Sequence, residues 1–343
     1  MADIDILAPV SGELAEPEIP VNFLQFIREG SKFIVAGHLE PDGDCVGSQL
    51  ALTLALRRMG KEALPCSAGP FKRPEIKPYA SLFTAAPDEN ARIGARVIIV
   101  DCSTPDRTGD LEPFLQKLPT AVIDHHNTAP PPECLAYKDV RALSTTFLVL
   151  KVIQALGMQP SKEEAEFLFF GLCTDTGFFR HVEGGDTGGR NVGADTFTAA
   201  ASLIRAGANP KATFAAMYGE KSFDSRKLIG HVLLKAETFF GGKLILSAEE
   251  YEETCRLGRE GRDSDTLYQL LQTVSGVHAI VIIRQESPEN CTVGFRSMDR
   301  VDVRIIAESF GGGGHKNAAG LYIKGTIAEL KPQIIKAFEG VFS

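Results

Sequence analysis

His38, Asp42 and Asp44 stand in the stretch VAGHLEPDGDCVGS (35–48), spaced H-x3-D-x-D directly after an apolar run. Three such groups at the end of a buried strand cost free energy unless something satisfies them. The arrangement recurs along the chain. Asp101 ends RVIIVD (96–101), Asp124 ends TAVID (120–124) and is followed by His125 and His126, and Asp175 follows the apolar helical run 165–173 within CTDTG. A lone Asp after a strand is ordinarily a turn former or helix cap. Four segments that each deliver an acid or an imidazole are hard to explain by capping. Converging carboxylates without counter-charge would repel, and several would keep their protons. Divalent cations remove that conflict, and mixed Asp/His ligation without Cys suits a borderline-hard ion such as Mn2+. The donors are enough for two ions sharing one carboxylate, an arrangement that clamps both attacking and leaving oxygens in phosphoryl hydrolysis. The sequence offers no Ser/His/Asp or Cys/His arrangement. Ser48 and Ser103, near the acids, read as caps or as donors to them.

These groups need strands and helices that bring them together. KFIVAG (32–37), RVIIVD and TAVID are nearly continuous in hydrophobicity, as strands buried on both faces of a parallel sheet are. GSQLALTLALRRMG (47–60) and STTFLVLKVIQALG (144–157) carry helical periodicity and stop at Gly. The helix over 161–173 opens on SKEE, a Ser cap with Glu at the capping-box distance. This alternation predicts a doubly wound α/β domain, whose ligands bind beyond the carboxyl ends of its strands. ADTFTAAASLIRAG reads as a helix closing that domain, and SFDSRKLIGHVLLKAETFF as part of a connector. From about residue 241 the pattern resets. GKLILS, HAIVIIRQ, CTVGFRS and AAGLYIKG read as strands, and SDTLYQLLQTVSG, VRIIAESFG and IAELKPQIIKAFEGVF as helices, which predicts a second, smaller α/β domain. The expected division is an N-terminal extension over 1–21, a metal-binding domain over 22–208, a helical connector over 209–240 and a second domain over 241–343.

The chain's 343 residues suit two domains, and its 44% apolar and 23% charged composition is that of a soluble globular protein. A net charge of −8 argues against long duplex nucleic acid, though not against a small phosphorylated ligand in a local basic pocket. Seven scattered cysteines with no CxxC pair read as buried thiols of a reducing cytoplasm. The acidic, Pro-containing N-terminus lacks the regions of a signal peptide, and no apolar run approaches the ~18 residues of a membrane span, so a cytoplasmic location is expected. GGDTGGRNVG (184–193) lacks the preceding strand of a phosphate loop and reads as a flexible loop. In the second domain, Arg296 ends GFRSM and GGGGHKNAAG (311–320) reads as a glycine-rich turn carrying His315 and Lys316. Such a turn suits an anion nest of backbone N–H groups beside a bidentate arginine.

Taken together and in order, His38-x3-Asp42-x-Asp44, Asp101, Asp124-His125-His126 and Asp175 resemble the four motifs of the DHH phosphoesterases. Gly311 to His315 followed by Ala318-Ala319-Gly320 is similar to the glycine-rich motif of the associated DHHA1 domain. The resemblance runs roughly from residue 22 to 340. Size and two-domain layout most resemble the nanoRNase/pAp-phosphatase branch. The resemblance implies an active site in the cleft between a DHH and a DHHA1 domain, with two Mn2+ ions for which Mg2+ or Co2+ can substitute. It assigns His38, Asp42 and Asp101 to one ion, and Asp44, Asp101, His125 and Asp175 to the other, with Asp101 bridging. Asp124 orients a neighbouring imidazole, and His126 faces the scissile phosphate or leaving oxygen. Arg296, Gly312, Gly313, Gly314, His315, Lys316 and Asn317 become substrate-binding candidates. Arg180 and His181 lie in a segment after Asp175 that looks longer than the family's usual one, and either reach the substrate too or are solvated loop residues.

The activity so implied is metal-assisted hydrolysis of very short oligoribonucleotides, extending to 3′-phosphoadenosine 5′-phosphate (pAp). An alternative is a phosphodiesterase for cyclic or linear signalling dinucleotides (c-di-AMP, pApA). A non-catalytic nucleotide sensor is the alternative of another class, and the intact ligand set argues against it. The resemblance also allows a homodimer. From hydropathy and charge, no membrane partner and no long duplex nucleic acid are expected.

Overall fold

The computed structural model describes residues 18–185, 190–219, 221–257, 262–298 and 300–342. The expected extension therefore lies almost wholly outside the described residues, as does the middle of the 184–193 loop. The chain divides into two compact units, Met1–Gly219 and Glu220–Ser343.

The first unit runs α1 (Val21–Glu29), β1 (Lys32–Ala36), α2 (Gly43–Arg58), β2 (Glu62–Cys66), α3 (Glu89–Arg92), β3 (Arg96–Val100), α4 (Glu112–Leu115), β4 (Thr120–Asp124), β5 (Leu135–Lys138), α5 (Thr145–Ala155), α6 (Lys162–Asp175), α7 (Val192–Ala206) and α8 (Pro210–Tyr218). The five strands are all parallel, in the order β2-β1-β3-β4-β5. The apolar runs that predicted β1, β3 and β4 are buried on both faces. Phe33, Val35, Ile98, Val100 and Ile123 pack against the helices, while Ile34, Ile99 and Val122 pack on Leu111 and Leu115 behind. β2 and β5 were not legible as strands, because they are only partly buried and lack a continuous apolar run. The order reverses between β1 and β3, so a crevice opens there beyond the carboxyl ends. The Ser161–Glu164 capping box forms as expected.

Two glycines let α2 and α6 touch at backbone distance. A Cβ on Gly47 would stand 2.5 Å from the Phe167 carbonyl oxygen. One on Gly171 would stand 2.4 Å from Thr146 Cγ2 and 3.1 Å from the Asp44 backbone. That approach carries the C-terminal turn of α6 to the first turn of α2. Gly43 serves the same packing: a Cβ there would stand 2.3 Å from Thr174 Cγ2 of α6.

The second unit runs α9 (Phe223–Leu234), β6 (Glu237–Phe239), β7 (Leu244–Glu249), α10 (Tyr251–Leu257), α11 (Ser264–Gln272), β8 (Ala279–Ser287), β9 (Asn290–Ser297), α12 (Val303–Ser309), β10 (Gly313–His315), β11 (Ala318–Lys324) and α13 (Ile327–Phe342). Its sheet, β10-β11-β9-β8-β7-β6, is antiparallel except for the β7–β8 pair. Phe295, Val293, Leu321 and Ala319 bury one face against Ile334 and Phe338 of α13. Ile280 and Ile282 bury part of the other against Leu267, Tyr268 and Leu271 of α11. The expected connector is divided: α8 packs on α6 in the first unit, and α9 on β7 in the second. Among the described residues no helix is long and apolar enough to cross a membrane.

Candidate metal centre

All the acids and imidazoles singled out in the first unit lie at the carboxyl end of its sheet. Asp42 is the N-cap of α2, its Oδ1 accepting from the N–H groups of Asp44 and Cys45 at 3.1 Å each. Asp44 therefore sits in the first helical turn, and the two aspartates point from a helix start, not from one loop. Asp44 is fully buried, and its oxygens accept the Thr146 N–H at 2.9 Å and the Thr145 N–H at 2.5 Å, the orphan donors at the start of α5. Asp175 is the last residue of α6. Asp101 follows β3 with φ +62°, a left-handed conformation that non-glycine residues seldom adopt and that clusters at functional sites. Its Oδ2 lies 3.5 Å from His38 Nε2. Its Oδ1 lies 3.7 Å from His125 Nε2 and 3.8 Å from His126 Nδ1, and accepts from Thr145 Oγ1 at 2.8 Å.

The imidazoles are fixed from behind. His38 Nδ1 donates to the Leu39 carbonyl at 2.8 Å, and His125 Nδ1 donates to the Ala142 carbonyl at 3.1 Å. A carbonyl can only accept, so each Nδ1 carries a hydrogen and each Nε2 is the ring atom turned toward the carboxylates, where a cation would meet it. Ligand atoms of Asp44, His125 and Asp175 lie within 4.8 Å of one another, as do those of His38, Cys45 and Asp101.

The charges do not balance without a cation. Burial and the neighbouring Asp101, Asp175 and Asp42 raise the Asp44 pKa well above the carboxylate range. Burial, then Asp101 and Asp42, push Asp175 up to about 8. Burial opposes a charge on His38, yet Cys45, Asp101 and Asp42 together drive its pKa far up. Asp42 goes the other way: burial would raise it, but His38 holds it down at about 2. Acids that must share protons, facing imidazole Nε2 atoms held in place from behind, fit divalent cations.

A stability prediction follows. Asp44, Asp175 and His38 have folded pKa values above their unfolded ones, so their contribution is full below the unfolded values and is lost as pH rises through the folded ones. The Tm of chelator-treated protein should fall between about pH 5 and about pH 8.5, and Asp175→Asn should flatten that slope. Saturating divalent cation should reverse it, because ligation needs deprotonated donors. Thermal unfolding across pH checks this. A slope unchanged by Asp175→Asn would remove the acid cluster as its cause.

Asp124 belongs to a different arrangement. Its Oδ1 accepts from His126 N–H at 3.0 Å and lies 2.8 Å from His126 Nδ1, while Oδ2 accepts from Ser103 Oγ and, at 3.2 Å, from Lys138 Nζ. Burial would raise the Asp124 pKa; the hydrogen bonds from His126 and Ser103, with Lys138, carry it far below the usual range. The Asp124 bond in turn raises His126. Lys138, whose Nζ also donates to the His126 carbonyl at 2.6 Å, was missed in the sequence. Its signal was weak: one lysine in LAYKD, on a four-residue strand. Arg73 was also missed; its Nη2 lies 3.9 Å from Asp42 Oδ2 on an exposed loop.

Arg180 is exposed, and its Nε donates to the Gly177 carbonyl at 2.9 Å; His181 packs over Gly177. Arg190, from the glycine-rich loop, is buried and pairs with Asp195 at 2.6 Å and with Asp139, so it ties structure together. In the second unit GGGGHKNAAG is not a nest-like turn. Gly313–His315 is a strand, with Gly314 opposite Ala319 and His315 opposite Ala318. Gly313, Gly314, His315 and Lys316 are exposed, and Gly312 and Asn317 half-buried. The Arg296 guanidinium lies 4.6 Å above the Tyr268 ring.

Comparison with known proteins agrees with this geometry. Residues 32–172 match the DHH family, N-terminal domain, and residues 241–343 match the DHHA1 domain. A bifunctional oligoribonuclease and PAP phosphatase, NrnA, of Thermus thermophilus is 32% identical over 85% of this chain and 84% of its own. The cyclic-di-AMP phosphodiesterase GdpP of Bacillus subtilis is 27% identical over 92% of this chain, which spans about half (49%) of that protein. An exopolyphosphatase-related protein of Bacteroides fragilis shares the fold, with TM-score 0.75 and 22% identity over 94% of this chain and 96% of that one. With its strand-end acids and imidazoles gathered at the sheet's switch point, the chain belongs to the DHH family of phosphoesterases, in the form that carries a DHHA1 domain.

Proposed function

We propose that this phosphoesterase uses two Mn2+ ions to hydrolyse very short oligoribonucleotides, and that it also removes the 3′-phosphate of pAp. The observation that carries the two-ion reading is the Asp101 carboxylate, with one oxygen toward His38 and the other toward His125 and His126. His38, Asp42 and Asp101 would hold one ion, and Asp44, Asp101, His125 and Asp175 the other. Ions held there would polarise the phosphoryl oxygens and activate water. The chain's own groups do the rest. His126 is half-exposed, with its Nδ1 hydrogen on Asp124, so Nε2 is free toward the solvent side. The Asp124 hydrogen bond raises its pKa, which favours the protonated ring whose Nε2–H would serve the leaving oxygen. Lys138 and Ser103 keep Asp124 ionised for that purpose. Arg73 at the rim would pair with a phosphoryl oxygen. Arg296, His315, Lys316 and Asn317, with the Gly312–Gly314 backbone, would take the remaining nucleotide, and Arg180 a further phosphate.

The substrate reading is supported by the 32% identity and near-equal length of the Thermus thermophilus relative. The test is a turnover panel in Mn2+ and in chelator: pAp, RNAs of two to five nucleotides, c-di-AMP, pyrophosphate and a 20-mer. The expected result is metal-dependent release from the dinucleotide and pAp, with little from the 20-mer. Preferential cleavage of c-di-AMP would transfer the reading to signalling dinucleotides, and full turnover in chelator would overturn the two-ion mechanism.

A further inference from the structure

The open face of the second unit carries a feature that the family motifs do not include. In the register of β10, β11 and β9, His315, Ala318 and Arg296 form one row, and Gly313, Gly320 and Gly294 the next. Residues paired across an antiparallel ladder, and every second residue along a strand, share a face. Alternating burial along β9 and β11 agrees: Phe295, Val293, Ala319 and Leu321 are buried, whereas Arg296, Gly294, Ala318, Gly320 and Tyr322 are not. Helix α11 covers β9 on this face: the Tyr268 ring lies beneath Arg296, its hydroxyl stands 2.2 Å from where a Gly294 Cβ would be, and Ser264 accepts from Arg284 at 3.1 Å. Over β10 and β11 the surface is open. A Cβ on Gly313 would meet nothing within 4 Å, and one on Gly320 only the Val293 carbonyl oxygen at 3.3 Å. Next along β11 on the same face comes Tyr322, 66% exposed.

We propose that Tyr322 stacks on a nucleobase of the bound oligonucleotide, while the row of Arg296 and His315 holds its phosphate. This rests on the reading of the chain as a nucleotide phosphoesterase and names how that substrate is gripped. The chemistry favours this occupant. Arg296 and Lys316 give the face positive charge for a phosphate, and an exposed phenol ring offers a base the π-surface it loses on leaving its stack. Ring and phosphate row are four residues apart along the strand, about 13 Å, which leaves room for a nucleoside over Gly313 and Gly320. Stacking is tolerant of sequence because every base has a π-face. Tyr322 therefore selects for the presence of a base, not for its identity.

The experiment compares the full chain with Tyr322→Ala, Tyr322→Phe and Arg296→Ala. Its substrates are a 5′-phosphorylated dinucleotide and two analogues, each lacking one base. Tyr322→Ala should raise KM for the dinucleotide roughly 5- to 150-fold, with kcat within about twofold. It should leave KM nearly unchanged for the one analogue that lacks the stacked base. Tyr322→Phe should match wild type, and Arg296→Ala should raise KM for all three substrates alike. A 2-aminopurine dinucleotide titrated in chelator should lose fluorescence on binding to wild type and to Tyr322→Phe, but not to Tyr322→Ala. Equal KM changes on all three substrates, or quenching that survives Tyr322→Ala, would overturn the stacking role. Failure of wild type to hydrolyse any nucleotide would instead defeat the phosphoesterase reading, and the fluorescence arm would still decide whether Tyr322 meets a base.

Discussion

Asp101→Asn should lower hydrolysis of a dinucleotide by at least about 10^3-fold, because the metals' charge stabilisation of the transition state would amount to several kcal/mol and the two-ion reading has both ligand sets share this residue. The asparagine is chosen for what it preserves. Asp101 holds a left-handed backbone at φ +62°, and Asn tolerates that region better than most residues. Thr145 Oγ1, which now donates to Asp101 Oδ1 at 2.8 Å, can donate equally to an amide oxygen. Volume and buried partners stay, and the negative charge goes. One oxygen facing His38 and one facing His125 become an oxygen and an NH2, and the latter cannot ligate a cation. The measurement pairs kinetics with calorimetric titration of Mn2+. Hydrolysis should vanish, at least one equivalent of metal should be lost, and the metal-free Tm should hold or rise, since one carboxylate has left a crowded cluster. Wild-type turnover by Asp101→Asn would end the two-ion reading, whereas a collapsed Tm would assign the residue to folding.

The parts legible in the sequence were those set by local pattern. Near-continuous apolar runs gave β1, β3 and β4, and an acid at the end of each pointed to the crevice of a parallel sheet. His38, Asp44, Asp101, His125 and Asp175 do meet there. What escaped depends on contacts between distant segments. The helical pattern reads from Gly47, yet Asp42 caps a helix that starts at Gly43 and so puts Asp44 in its first turn, where α6 approaches closely over Gly47 and Gly171. Lys138 is a single cation on a half-buried four-residue strand, and only its meeting with Asp124 and Ser103 gives it a role. Four glycines in a row read locally as a turn. Their pairing with β11 makes Gly313–His315 a strand, and that register, not composition, sets His315 and Arg296 on one face with Tyr322.

His126 separates proton delivery from charge neutralisation, and the nature of the leaving group separates them experimentally. His126→Gln should lower kcat about 10^2- to 10^4-fold for a dinucleotide, whose ribose oxygen needs a proton as it departs. The same variant should lose little on a p-nitrophenyl phosphoester, because nitrophenolate leaves unprotonated. The geometry supports that division. Asp124 Oδ1 lies 2.8 Å from Nδ1 and raises the imidazole pKa, and the side chain is 54% exposed where a substrate can reach Nε2. Asp124→Asn should give a smaller loss with the same dependence on leaving group, since it lowers the proton affinity of His126 without removing the ring. Were His126 instead a metal ligand, its loss would slow both substrates alike and reduce metal stoichiometry. Comparing the two substrates in one variant, beside the metal content, therefore decides between an acid and a ligand, and the Lys138–Asp124–His126 chain is the physical reason to expect the acid.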